Sequence, residues 1–201
     1  MAAFIAILLF LPYFFAIIEA RQGIVLNDWL LPWIPARDCS VTIFIFVWST
    51  SLLIIIRCIQ QPAIFIRFIY LLIILTLTRI ATISLFPLDP PAGLIHLKDP
   101  LTSLTYGGTE IFITKDLFFS GHTSNLFLMY FCLQKKRDKQ FAILATVAVA
   151  ILVLVQHVHY SIDVLMAVVF TYLLVKATEK FSFFNIGLVL KAENYESTRQ
   201  F

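Results

Sequence analysis

Two short polar stretches break up a strongly apolar chain. Phe118-Phe119-Ser120-Gly121-His122-Thr123-Ser124 stands at the mouth of one apolar segment. His157-Val158-His159-Tyr160-Ser161-Ile162-Asp163-Val164 stands at the junction of two others. Ionisable side chains in or at a membrane are costly, which makes them functional candidates. His159 and Asp163 are four residues apart, so on a helix that starts just before them they share a face and touch. A carboxylate beside an imidazole fixes its tautomer and stabilises its cationic form. His122, on a different segment, supplies a second imidazole. Two histidines and an aspartate suit phosphoryl transfer: one imidazole attacks phosphorus to give a phosphohistidine, while the other protonates the leaving oxygen and then activates the acceptor.

A phosphate needs positive charge around it. Arg79, inside an apolar run, is the first candidate, and Lys115, just ahead of the Ser-Gly-His stretch, is the second. Ser120 and Gly121, at a helix start, offer backbone N–H groups to an anion. His157 is two residues from His159 and points elsewhere on a helix. A metal held by His122, His157, His159 and Asp163 is disfavoured, because a His-x-His spacing on a helix does not converge on one ion. No metal or cofactor is called for.

The elements that must position these residues are apolar helices. The chain has 201 residues, 60% hydrophobic and 13% charged, with a mean hydropathy of +0.91. A soluble domain is about half apolar and a quarter charged. The surplus lies in long runs, which points to an all-α polytopic membrane protein of one domain, residues 1–201. No basic soluble face exists to carry nucleic acid. Cys39, Cys58 and Cys132 are scattered and read as packed free thiols. Six helices are expected, at about 2–19, 41–57, 63–86, 117–133, 141–158 and 161–176. Pro62 opens the third, and Pro87, Pro90 and Pro91 stop it. Residues 20–40, with Trp29 and Trp33, suit an interfacial belt. Residues 87–116 form the longest connection, and 177–201 a tail whose aromatic residues suit a membrane surface.

Six crossings put both termini on one side. Loops there carry ten Lys or Arg residues, against four on the other side. The positive-inside rule then places the termini in the cytoplasm and the 87–116 and 157–163 connections on the opposite face. Counted up from the cytoplasmic helix ends, His122 lies roughly 18 Å, Asp163 roughly 20 Å, Arg79 roughly 24 Å and His159 roughly 27 Å into a hydrocarbon slab about 30 Å thick. Four polar residues from separate segments agree in depth, as a shared site requires.

Ser120-Gly121-His122-Thr123 with His159-Tyr160-Ser161-Ile162-Asp163-Val164 resembles the phosphatidic acid phosphatase type 2 superfamily, and within it the sphingomyelin synthase-like branch. Lys115-Asp116, ahead of the first motif, stands where that branch has Gly-Asp. Arg79-Ile80-Ala81-Thr82 followed by Phe86-Pro87 is similar to another of its stretches. The phosphatases' Lys-x6-Arg-Pro motif is absent, since neither Arg67 nor Arg79 precedes proline. The resemblance covers about residues 60–176. It implies a six-helix bundle with His159 as nucleophile, Asp163 as its partner and His122 as acid/base. It also implies a head-group transferase that takes a phospholipid donor and a lipid-hydroxyl acceptor, ceramide or diacylglycerol. A lipid phosphatase or phospholipase C-type hydrolase using the same triad is the alternative, and a lipid-binding or transport protein is the second. Head group, acceptor and oligomeric state are left open.

Overall fold

The computed structural model describes residues 2–99 and 113–180. Six α-helices occupy them: α1 (Ala2–Ala20), α2 (Ser40–Gln60), α3 (Pro62–Leu85), α4 (Gly121–Cys132), α5 (Lys136–Val155) and α6 (Ser161–Lys180). The expected aromatic tail, and Pro100 and Gly107-Gly108 of the long connection, lie outside the described residues.

α4 is the axis of the bundle and packs against α2, α3, α5 and α6. Its Leu126, Leu128, Met129 and Cys132 are buried. Ala142, Ala145 and Val149 on α5 are also buried, and side chains this small let helices approach closely. The bundle's outward surface is apolar: Val41, Ile45, Leu52, Ile55, Ile59, Leu144 and Leu173 all face out. A water-soluble bundle of this size would not leave so many large apolar residues uncovered. α2, α3, α5 and α6 are each long and apolar enough to cross a membrane. The protein is accordingly an integral membrane protein. Of the six crossings expected, these four are supported by length and composition. α4, with 12 residues, rises only about 18 Å, and the apolar stretch of α1, Phe4–Ala20, is also shorter than a full span.

α2 and α6 run three and four residues past their expected ends, and the boundaries of α4 and α5 differ for local reasons. α4 begins at Gly121 rather than near 117 because Asp163 holds the preceding chain off the helix. Its carboxylate accepts the Phe118 N–H at 3.2 Å and its carbonyl the Ser120 N–H at 3.1 Å, with Phe118 at φ 89°. Ser120 then caps α4, its hydroxyl accepting the Thr123 N–H at 3.4 Å. α5 runs from 136 to 155 rather than 141 to 158. Its basic start is helical, with Asp138 in the first turn pairing with Arg57 of α2 at 2.6 Å. Its end is fixed by Gln156 at the cap and His157 at φ 55°.

The loops at one end of the bundle are fastened by buried and half-buried polar side chains. Gln156 accepts the Cys39 N–H at 3.0 Å and donates to Ser40 Oγ at 2.8 Å. Tyr160 donates to the Asp89 carbonyl at 2.8 Å and accepts the Leu26 N–H at 3.1 Å. Asp28 takes the N–H and hydroxyl of Ser161 at 2.6 and 2.7 Å, a carboxylate at the positive end of α6. Ile24 pairs with Leu88 in a parallel bridge, and Arg21 donates to the Ile83 carbonyl near the end of α3 at 2.6 Å. The candidate residues lie just beneath this fastened end.

Candidate active site

Asp163 sits in the first turn of α6, fully buried. Its Oδ2 accepts the Tyr160 N–H at 3.1 Å and lies 3.3 Å from Nδ1 of His159. Oδ1 accepts the Phe118 N–H. His159 precedes α6, so the pair meets across the helix entrance rather than along a helix face. The contact expected from the spacing of four is made all the same. With Nδ1–H directed at a carboxylate, the lone pair of the imidazole falls on Nε2, the nitrogen then able to act as a nucleophile.

His122 is the second residue of α4. Its ring stands edge-on to Phe44 of α2, centroids 6.0 Å apart, and it shares the lining of one cavity with Arg79 and Asp116. Arg79 reaches from α3 to the start of α4. One guanidinium nitrogen donates to both carboxylate oxygens of Asp116 at 2.5 Å, and the group stands 5.7 Å above the Phe119 ring. Gly121 makes this approach possible, because a Cβ there would collide with the guanidinium. The site therefore sets an arginine against the start of α4, where the N–H groups of Gly121 and His122 precede the first intrahelical bonds.

A cavity of about 370 Å³ opens beside Arg79 and His122; His159 and Asp163 do not line it. Arg79, Asp116, His122 and Asn125 give it polar lining, while Leu8, Leu11 and Phe15 of α1 and Ile80 of α3 give it an apolar wall. This combination of apolar wall and few polar groups is the usual make-up of a small-ligand site.

The other candidates fall elsewhere. The Lys115 ammonium reaches the Arg21 carbonyl and Asp89 at 2.9 Å, so it clasps two loops and does not line the cavity. That ion pair, first of all the bond from Lys115, holds the Asp89 carboxyl below its ordinary range. Burial works against ionisation of Asp28, but the bonds from Ser161, Leu30 and Leu31 outweigh it and hold that carboxyl low as well. The Ser120 N–H is donated to Asp163, so of the two residues expected to offer N–H groups to an anion only Gly121 keeps its own for that purpose. His157 binds structure: its ring nitrogens lie 3.0 and 2.9 Å from the Ala92 and Ile34 carbonyls.

Two partners escaped the reading of the sequence. Asp116 was within the motif, but a search for phosphate ligands looks for cations. Glu19, at the end of α1, accepts the Thr114 hydroxyl at 2.7 Å and the Lys115 N–H at 3.1 Å, fixing the segment that leads into the site. A lone acid ending an apolar run was the available signal.

Residues 115–181 match the family model described as PAP2 superfamily C-terminal. The match spans both histidine motifs and supports the PAP2 superfamily, whose members are generally phosphatases and phosphotransferases. Neither the curated proteins nor the solved structures give a match to the chain.

Proposed function

We propose that this protein is a membrane phospholipid head-group phosphotransferase of the sphingomyelin synthase-like kind. The observation that carries the reading is the His159–Asp163 contact at 3.3 Å with Asp163 wholly buried. Nε2 of His159 attacks the phosphorus of a phospholipid. The bond from phosphorus to the glycerol oxygen breaks, and His122 gives that oxygen its proton. The head group is then held on His159 as a phosphohistidine. An acceptor hydroxyl passes its proton to His122 and attacks the same phosphorus, which frees His159. Arg79 and the N–H groups of Gly121 and His122 face the non-bridging oxygens, where charge builds in the transition state. Lys115 acts on this site as a positioning residue through Asp89 and the loop it holds.

An apolar wall beside His122 and Arg79 favours a lipid acceptor, ceramide or diacylglycerol, over water. In this reading α1 and α4 complete six membrane passages, about 60–176 form the catalytic core, and the positive-inside rule puts the site in the extracytoplasmic half of the bilayer. Hydrolysis by the same triad is the second reading, favoured by a family match at the level of the superfamily.

The test is purified protein in liposomes with a head-group-labelled phospholipid and a fluorescent ceramide or diacylglycerol. Label transferred to the acceptor, and lost with His159→Ala, is the expected result. Label released as a water-soluble phosphoester, equally dependent on His159, would make the protein a lipid hydrolase. Activity retained in His159→Ala would overturn both readings.

A further inference from the structure

At the end of the bundle opposite the triad lies a second and larger cavity, about 760 Å³, lined from α3, α4, α5, α6 and the turns between them. Three cations line it: Arg67, Lys139 and Lys176. Among the described residues a single carboxylate, Glu179, answers two of them, at 3.1 Å from Arg67 and 2.8 Å from Lys176. The third, Lys139, lies over the ring of Tyr130, 5.3 Å from its centroid. Among the described residues the cavity thus holds more positive charge than its carboxylate balances. Arg67 also has guanidinium donors beyond the nitrogen that Glu179 occupies.

The depth of these cations selects the ligand. Arg67 is five residues into α3, Lys139 three residues into α5, and Lys176 four residues before the end of α6. At 1.5 Å per residue they sit about 5–8 Å below the helix ends. Long basic side chains this close to a helix end reach back to the head-group layer that borders the hydrocarbon. Basic cavities between helices at this level suit anionic head groups.

We infer that this cavity binds the phosphate head group of an anionic phospholipid from the leaflet opposite the triad, with Arg67, Lys139 and Lys176 as its ligands. The site is separate from the reaction centre and does not depend on the catalytic reading. Its occupancy would tie the ends of α3, α5 and α6 together through one shared anion.

The experiment is native mass spectrometry of the full-length protein, delipidated and titrated with phosphatidylglycerol or phosphatidylcholine, alongside thermal unfolding. Phosphatidylglycerol is expected to bind at least tenfold more tightly and to raise Tm. Lys139→Gln/Lys176→Gln should remove most of that preference, whereas Arg37→Gln, an exposed cation at the other end, should keep it. Glu179→Gln, which leaves the cations unanswered, should tighten binding. Equal retention of the two lipids, or a preference that survives the double variant, would overturn the proposal. So would looser binding in Glu179→Gln with an unchanged fold. Soluble glycerol 3-phosphate is expected to compete weakly, and competition equal to that of the lipid would show a free-phosphate site instead.

Discussion

The two oxygens of Asp163 answer three groups: the Tyr160 and Phe118 N–H groups and the His159 ring. An amide in its place offers one acceptor oxygen and turns an N–H towards a partner that also donates. Asp163→Asn is therefore expected to lower turnover by about 10²–10⁴-fold and to lower Tm. Undiminished turnover in liposomes would remove Asp163 from the chemistry. Gly121→Ala separates position from fold. The new methyl collides with the far end of Arg79, which can swing away, and alanine suits a helix better than glycine. Tm should hold or rise while turnover falls by about 10²-fold, the cost of roughly an ångström of misplacement. An unchanged rate would mean that Arg79 does not act where it stands. At this scale the sequence was informative. The pairing of His159 with Asp163 follows from a spacing of four, and the value of Arg79 from its cost in an apolar run. Asp116 was hidden because its partner comes from α3, thirty-seven residues away, and no local pattern marks the pair.

The helices themselves were legible from apolar runs and prolines, but their ends at the site were not. The late start of α4 depends on Asp163, some forty residues downstream, and a run of apolar residues gives no sign of it. The loop clasps are tertiary in the same way, and they make a pH prediction. Asp89 titrates below its ordinary range because of Lys115. A depressed carboxyl stabilises the fold above its unfolded pKa, about 3.9, and loses that contribution as pH falls through the lower folded value. The Tm advantage of the wild type over Asp89→Asn should therefore stay level from pH 8 to about 5, shrink near pH 4 and vanish below the depressed value. Thermal unfolding in detergent across that range is the check. An advantage already gone by pH 5 would mean that the Lys115–Asp89 pair is not what fastens these loops.

Across the whole molecule, composition announced a membrane protein, and the apolar outward faces agree. The count of crossings was less legible, because α4 pairs a full helix's burial with a short helix's length. Polarity along the membrane normal yields a labelling prediction. In a background with Cys39, Cys58 and Cys132 replaced by serine, a cysteine at Trp33, exposed in the loop at the triad's end of the bundle, should react with an impermeant maleimide added to intact cells. One at Gln134 should react only after permeabilisation. The reverse pattern would invert the protein in its membrane. One further consequence follows from how α1 is held. Its tip is pinned by Glu19, by Arg21 and by Gly23, which lies against the Leu88 backbone so tightly that a Cβ would come within 2.5 Å. Its body packs on α3, while Leu9 and Tyr13 lie 76% and 67% exposed. A leaf fixed at one edge swings about that edge, and this leaf forms a wall of the cavity beside His122. Any outward swing of that wall works against the viscosity of the surrounding lipid. Turnover should slow in an ordered, gel-like bilayer by more than temperature alone accounts for, as a door slows when hung in syrup.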